Sequence, residues 1–261
     1  MTRVSARALR AEWTKLRSVR STAWLLFGFV GATLALSTMV MLTLDATRCP
    51  LAAGCDEDTV RLSMTGVYIG QVAITALAVL AVCGEYGSNG TIMPTLCATP
   101  ARWRALAAKV LVVIAATIGA GALAIAGTFL MSRLILPDHG YAAPSVADTA
   151  TARALGGTVL YFGLIAAISL GIAYAVRDTA VSIATVLGLL YVLPIVATLV
   201  NNDTWRRWIL RLAPMTAGLS IQATKHLESL PLNPWQGLGV LAAYGAVAML
   251  VGGLMFRLRD A

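Results

Sequence analysis

Few residues in this chain have side chains that could carry out bond chemistry. The sequence holds no glycine-rich phosphate loop ending in Lys-Ser/Thr and no His-Glu-x-x-His zinc motif, the patterns typical of nucleotide hydrolysis and of metalloproteases. Its two histidines, His139 and His226, are far apart in the chain. We therefore expect no catalytic residue, no metal site and no cofactor bound by the chain itself, which argues against an intramembrane metalloprotease.

Two cysteines form the one reactive pair that the spacing favours. Cys49 and Cys55 lie in a short polar segment, and Pro50 and Gly54 between them allow the two thiols to meet. A disulfide is expected if this segment faces an oxidising compartment. Metal binding is the alternative, although two thiols with no nearby histidine make a poor site.

The stretch from Gly84 to Lys109 contains more residues that start or break helices than a turn between two helices requires. Thr91 is suited to cap a helix whose first turn tolerates Pro94. Thr99 followed by Pro100 repeats this start signal and begins a second helix that continues through Lys109. The pattern predicts a short helix followed by the start of a longer one.

The short helix would expose apolar side chains. Ile92, Met93 and Leu96 fall on neighbouring turns, and a helix of this kind at the end of a membrane bundle makes sense if another protein covers it. The alternative is an ordinary loop that packs against its own bundle.

The composition places these segments in a membrane protein. Hydrophobic residues make up 58% of the 261 residues, charged residues only 12%, and the mean hydropathy is +0.78. Apolar runs long enough to cross a bilayer, about 20 residues as a helix, predict six transmembrane helices at 22–44, 62–84, 108–136, 154–176, 179–200 and 234–256. The fold class is therefore all-α, a polytopic membrane protein with a single transmembrane domain over 1–261. The central parts of these runs hold no ionisable residue, which argues against a carrier driven by protons or sodium.

Residues 1–20 form a predicted amphipathic elbow helix at the membrane surface. Leu9, Trp13 and Leu16 share one face and Arg17 lies on its flank, so the apolar groups enter the headgroup zone and the guanidinium groups meet phosphates. A secretory signal peptide is the alternative, but the following apolar run is too long and no cleavage site closes it.

The distribution of basic residues predicts the orientation. Six spans put both termini on one side, which then holds twelve of the 20 Lys and Arg residues. Both termini and the loop at 85–107 are therefore expected in the cytoplasm. The net charge of +8 suits anionic lipid headgroups and needs no nucleic-acid partner.

The outer segment at 201–233 contains helical patterns of its own. Trp205, Trp208 and Leu212 recur at helical spacing with arginines on the other faces, and Pro214 ends this helix. We expect short helices that lie on or dip into the outer leaflet as re-entrant elements before the sixth span. The alternative is that these short helices only line an outer loop.

The whole chain resembles a type-two permease of ATP-binding cassette (ABC) exporters. The resemblance rests on EWTKLRS in the elbow, GEYGSNGTIMPTL after the second run, PARWRALAAK, PWQG before the last run and FRLRDA at its end. It implies that the loop forms a cytoplasmic coupling helix docked on a separate ABC ATPase through Glu85, Tyr86, Gly90, Thr91, Ile92, Met93, Pro94, Leu96, Pro100 and Arg102. Relatives often have a basic residue where Ala101 stands here, so basic contacts depend on Arg102 and Arg104.

The resemblance also implies an assembly and an activity. Two permease chains, identical or different, would pair with two ATPase chains that bind ATP and Mg, in a bacterial plasma membrane. The cargo would be a hydrophobic or amphipathic antibiotic, lipid or peptide moved outward. The alternatives are a scaffold or sensor subunit that docks the same ATPase without moving cargo, and a secondary transporter that works alone.

We expect Cys49 and Cys55 to be bonded to each other in protein from an oxidising outer face. Mass spectrometry of unreduced peptides measures this directly, and two thiols that alkylate without reductant would contradict it. Replacing either cysteine by serine should leave assembly intact, because so short a closure removes little chain entropy.

Overall fold

The structure is a computed structural model that describes residues 2–44, 57–86 and 102–258. For residues 2–8, 102–105, 229 and 257 only the backbone is described. Cys49 and Cys55 lie outside these ranges, as does most of the expected coupling loop.

The described chain is helical, with no strand in these ranges. The helices are α1 (Thr2–Ser18), α2 (Arg20–Thr43), α3 (Thr59–Ser63), α4 (Val67–Cys83), α5 (Arg102–Ile135), α6 (Thr149–Val176), α7 (Thr179–Leu199), α8 (Asp203–Leu212), α9 (Pro214–Leu219) and α10 (Pro234–Leu258), with 3₁₀ turns at Leu136–His139, Ser220–Gln222 and Leu227–Ser229. Five of them, α2, α5, α6, α7 and α10, are long and apolar enough to cross a membrane. We call the end of the bundle that carries α1 the near end and the opposite end the far end.

The second predicted span is not one continuous helix. Where the sequence predicts a single run over 62–84, the structure has α3, a turn and then α4, which is 17 residues long. The break lies at Gly66, whose N–H donates to the Ser37 hydroxyl on α2 at 3.1 Å and whose missing Cβ leaves room for the Thr33 carbonyl. Across the break the backbone hydrogen bonds span three residues, as from the Val67 N–H to the Met64 carbonyl at 3.0 Å, so the chain forms a tightened turn where it contacts α2, and hydropathy alone carries no signal for it.

Two other helices extend beyond the predicted membrane spans at their starts. α6 starts at Thr149 instead of 154 because Asp148 caps it, accepting hydrogen bonds from the Ala150 and Thr151 N–H groups. A hydrogen bond from the Thr151 hydroxyl at 2.9 Å, together with these backbone bonds, lowers the pKa of the Asp148 carboxyl. α5 is helical from Arg102, which agrees with the helix expected to begin at Thr99-Pro100 and continue through Lys109; residues 102–107 of the expected cytoplasmic loop are therefore helical.

α6 is the central helix of the bundle. In its most apolar 18-residue window 61% of the residues are buried, against 22% in α2 and in α7, and it packs against α4, α5, α7 and α10. The closest approach is to α10, where a Cβ on Gly252 would overlap the Gly171 carbonyl oxygen. Glycine on both helices therefore allows backbone contact between them, as in other membrane helix pairs.

At the far end the chain folds back into the bundle. Leu219 and Ile221, in α9 and the 3₁₀ turn after it, belong to the hydrophobic core. The Asp58 carboxylate holds the segment that follows, because it accepts hydrogen bonds from the Thr224 N–H at 2.6 Å, the Thr224 hydroxyl at 2.7 Å and the Lys225 N–H at 3.0 Å. Residues 213–223 of the expected outer segment thus pack inside the protein, whereas residues 225–228 are exposed.

Gly252→Ala should destabilise the protein, because the added methyl group meets backbone that cannot rotate away. Overpacking of this kind costs about 1–3 kcal/mol. Gly239→Ala on the same helix is the matched control, since a Cβ there meets nothing within 4 Å. Thermal unfolding in detergent compares the two, and equal midpoints would show that α6 and α10 are not in backbone contact.

Candidate functional site

Four charged side chains meet at the near end of the bundle. Lys109 on α5 lies 2.8 Å from the Glu85 carboxylate and 3.0 Å from that of Glu12 on α1. Lys15, also on α1, lies 3.2 Å from both carboxylates. We call Glu12, Lys15, Glu85 and Lys109 the ion cluster; its two ammonium groups and two carboxylates balance in charge.

The ion cluster is largely withdrawn from water. The side chains of Glu12, Lys109 and Glu85 are only 7%, 10% and 15% exposed, whereas Lys15 is 39% exposed. Lys109 also donates to the Ala81 carbonyl at 3.2 Å, which ties it to the last turn of α4. Removing one member of such a buried set leaves an uncompensated charge, so the members depend strongly on one another.

The carboxylates determine the protonation of Lys15. Partial burial opposes the charged ammonium, but the charges of Glu85 and Glu12 and the hydrogen bonds to them outweigh burial and raise the pKa of Lys15 above 10.5. The ammonium therefore stays charged throughout the physiological range.

α1 packs on the bundle through a face that includes Glu12 and overlaps only part of its apolar face. Glu12 is the most buried residue of α1 whose side chain the structure describes, at 5% exposure, and Leu16 joins the apolar core formed by α4, α5, α6 and α10. Trp13 points away and is 53% exposed. α1 therefore binds the protein through a glutamate and a leucine and leaves its indole available to lipid.

A cation–π pair lies next to the ion cluster, at the turn between α6 and α7. The Arg177 guanidinium lies 4.9 Å from the centre of the Tyr86 ring, and burial of the phenol raises the pKa of Tyr86. Arg177 adopts a left-handed conformation with φ of 62° and Asp178 caps α7 by accepting from the Val181 N–H. The two-residue connection between α6 and α7, which the predicted spans 154–176 and 179–200 leave between them, is thereby fixed beside Tyr86.

A buried polar network lies deeper in the bundle. The Gln71 amide on α4, fully buried, donates to the Tyr191 hydroxyl on α7 at 2.8 Å and contacts the Met215 sulfur on α9 at 3.1 Å. The Tyr161 hydroxyl on α6 donates to the Gln71 carbonyl oxygen, and the Tyr191 hydroxyl donates to the Tyr68 carbonyl. One glutamine thus links four helices in an apolar core, where each unmade hydrogen bond would be costly.

The far end also contains a cavity of 510 Å³. Its lining mixes acidic, basic and amide groups and consists of Glu57, Asp58, Arg61, Leu62, Thr65, Tyr68, Gln222 and His226. Asp58 is already engaged by Thr224 and Lys225, so this cavity forms around the contact that holds the folded-back segment.

The residues that the sequence singled out fall into three groups. Glu85 and Tyr86 lie at the near end, in and beside the ion cluster. Gly90, Thr91, Ile92, Met93, Pro94, Leu96 and Pro100 lie outside the described residues, and of Arg102 only the backbone is described. On α1, Leu9 and Leu16 are half-buried and Arg17 is exposed.

Sequence reasoning missed Glu12, Lys15 and Lys109 as partners of Glu85. A signal was present, because Glu12 is an isolated acid in an otherwise basic helix and Lys15 follows it by three residues, on the same face. Lys109 is the last charge before the apolar part of α5. The pattern indicates that each of these charged side chains needs a partner of opposite charge near the membrane. It does not identify that partner.

Comparison with protein-family models and with curated proteins finds no match to this chain.

Lys109→Gln should strongly destabilise the protein, by about 3 kcal/mol, because Glu12 and Glu85 would remain buried and Lys15 would be their one remaining ammonium partner among the described side chains. Adding Glu85→Gln should recover part of that loss, since members of one network are not additive. Thermal unfolding of the single and double variants in detergent measures both effects.

Arg206→Gln is the control for this series. It breaks the exposed pair between Arg206 and Asp203, at 2.7 Å, and should cost about 0–1 kcal/mol. If Lys109→Gln were as mild as Arg206→Gln, or if the two cluster substitutions were strictly additive, the ion cluster would not hold the near end together.

Proposed function

We propose that this chain is the membrane-spanning permease subunit of an ATP-driven ABC exporter, with residues 87–101 as the contact for a separate ATPase subunit. One observation carries the proposal. The ion cluster joins Glu85, just before this segment, to Lys109, shortly after it, at 2.8 Å. Both ends of the segment are thereby held to the bundle and to α1.

This arrangement suits the transmission of force. A helix moves as a rigid element, and α4, with 17 residues, is about 25 Å long. It carries Glu85 just beyond its near end and Gln71 in its first half, where Gln71 binds α6, α7 and α9. A displacement of residues 87–101 would therefore reach the far half of the bundle through α4 and the polar network.

α1 provides the fixed point for this displacement. Glu12 and Lys15 connect α1 to the cluster, while exposed Trp13 and Arg17 suit the headgroup zone of a leaflet. A docked partner would then move α4 and α5 relative to a helix held by the membrane.

The proposed cycle requires no bond chemistry by this chain. ATP binding would draw two partner ATPases together and shift two permease chains, identical or different, from one arrangement to another. Cargo would pass outward between the permeases. We propose a hydrophobic or amphipathic cargo, a bacterial plasma membrane and cytoplasmic termini, in agreement with the family resemblance of the sequence and with its basic near end.

Docking is tested by purifying the full chain from its own cells and identifying bound ATPases that contain a phosphate loop by mass spectrometry. Leu96→Asp should reduce their recovery at least tenfold, because a carboxylate without a partner in an apolar groove costs several kcal/mol and each 1.4 kcal/mol is tenfold in affinity. Asn89→Asp adds the same charge at a polar position of the same segment and should leave recovery unchanged.

Coupling is tested separately with Glu85→Gln in reconstituted vesicles. This variant should still bind the ATPase but show a larger loss of transport than of complex formation, because it weakens the ion cluster and leaves the apolar side chains of Ile92, Met93 and Leu96 in place. Absence of an ATPase from the wild-type preparation, or normal recovery and turnover with Leu96→Asp, would disprove the proposed function. Normal binding and ATP hydrolysis with no cargo movement by the wild type would indicate the scaffold or sensor instead.

A further inference from the structure

At the far end α8 presents an amphipathic surface that the described part of the chain does not cover. None of its ten residues is buried. Trp205, Trp208 and Leu212 lie on one face, at spacings of three and four residues, and are 65%, 54% and 57% exposed. An isolated helix this short is not stable in water, so its surroundings must support it.

α8 is capped locally at its start and bonded to other elements at its end. The Asn202 side chain caps its start by accepting from the Thr204 N–H at 2.9 Å. At its end, the Tyr244 hydroxyl on α10 donates to the Leu212 carbonyl at 3.1 Å, and the Arg211 guanidinium donates to the Pro231 carbonyl at 3.0 Å. α8 therefore runs as a strap from the end of α7 to the start of α10.

The exposed apolar face continues the lipid-facing surface of these two helices. Leu199, at the end of α7, is 75% exposed, and Trp235, at the start of α10, is 60% exposed. Both helices have the length and hydropathy of membrane spans. Three exposed indoles, Trp205, Trp208 and Trp235, thus gather where these helices end, which is the level at which tryptophan concentrates in membrane proteins.

The remaining face of α8 is cationic. Arg206 pairs with Asp203 at 2.7 Å, and Asp203 is the only acid in the helix. Arg207 and Arg211 lie about one quarter to one half turn from the tryptophan face by helical geometry, and the Arg211 guanidinium sits 5.7 Å from the Trp208 ring centre. An apolar face flanked by guanidinium groups matches acyl chains flanked by phosphates.

We infer that α8 is a phospholipid-binding surface of the leaflet at the far end, with a preference for anionic lipids. Trp205, Trp208 and Leu212 lie among the upper acyl chains, and Arg207 and Arg211 bind lipid phosphates. This inference goes beyond the proposed function, because the strap would bind lipid whether or not the chain transports a cargo.

The experiment uses the full-length chain in phosphatidylcholine nanodiscs that contain a small fraction of brominated lipid as a fluorescence quencher. The chain has six tryptophans, so the emission of α8 is taken as the difference between the wild type and Trp205→Tyr/Trp208→Tyr. Bromine on the upper acyl chain should quench this difference strongly, and aqueous iodide should quench it weakly. Quenching by iodide alone would show a helix in water, and quenching by neither would show a face covered by protein, such as a second copy; each overturns the inference.

The lipid preference is measured by comparing brominated phosphatidylglycerol with brominated phosphatidylcholine at the same mole fraction. Phosphatidylglycerol should quench more, because each basic residue near an anionic surface strengthens its attraction. The double variant Arg207→Gln/Arg211→Gln should abolish this excess quenching. The control Arg206→Gln should retain most of it, because Arg206 in the wild type is already paired with Asp203. Equal quenching by the two lipids in the wild type, or equal effects of the double and control variants, would refute the anionic preference.

Discussion

Two ammonium and two carboxylate groups at the near end of the bundle must neutralise one another, because three of the four are largely shielded from water. The cost of burying an unpaired charge is what holds α1, the end of α4 and the start of α5 together. Replacing the ion cluster by apolar side chains would remove this cost, but it would also remove the definite geometry that charge pairing imposes on three elements. Where a partner protein has to move part of a membrane bundle, such a geometry is useful, since it limits the number of ways in which the connected helices can shift.

The bundle contains a second constraint of the same physical kind. Gln71 and the two tyrosines that bind it lie among apolar helices, so each of their hydrogen bonds must be made within the protein. The ion cluster and this polar network lie on opposite sides of the apolar length of α4. Between them α4 has mainly apolar contacts, which allow sliding more readily than paired polar groups do. α4 is thus held at two points.

α1 and α8 are comparable elements at opposite ends of the bundle. Each is amphipathic, each carries exposed tryptophan with arginine nearby, and each is tied to the bundle by polar contacts. If α1 and α8 lie at the two headgroup levels, as we propose, they limit the tilt of the bundle and its movement along the membrane normal. Helices inside such a bundle can still rotate or shift against one another, and that is the type of motion that an alternating pathway requires.

Composition and run length alone determined that this is an all-helical membrane protein, and they located α2, α7 and α10 to within two residues at each end, because hydropathy and capping are local properties of the chain. The two-residue turn after α6 and the end of α8 before Pro214 were readable for the same reason. The tertiary structure decided what depends on distant partners. Glu12 and Lys109 are 97 positions apart, and no local pattern pairs them; Gly66 interrupts the second predicted span only because α2 lies against it; and α9 is buried only because α6 and α10 leave room for it. In each case the free energy lies in a contact between helices, and the sequence of one helix does not specify its neighbour.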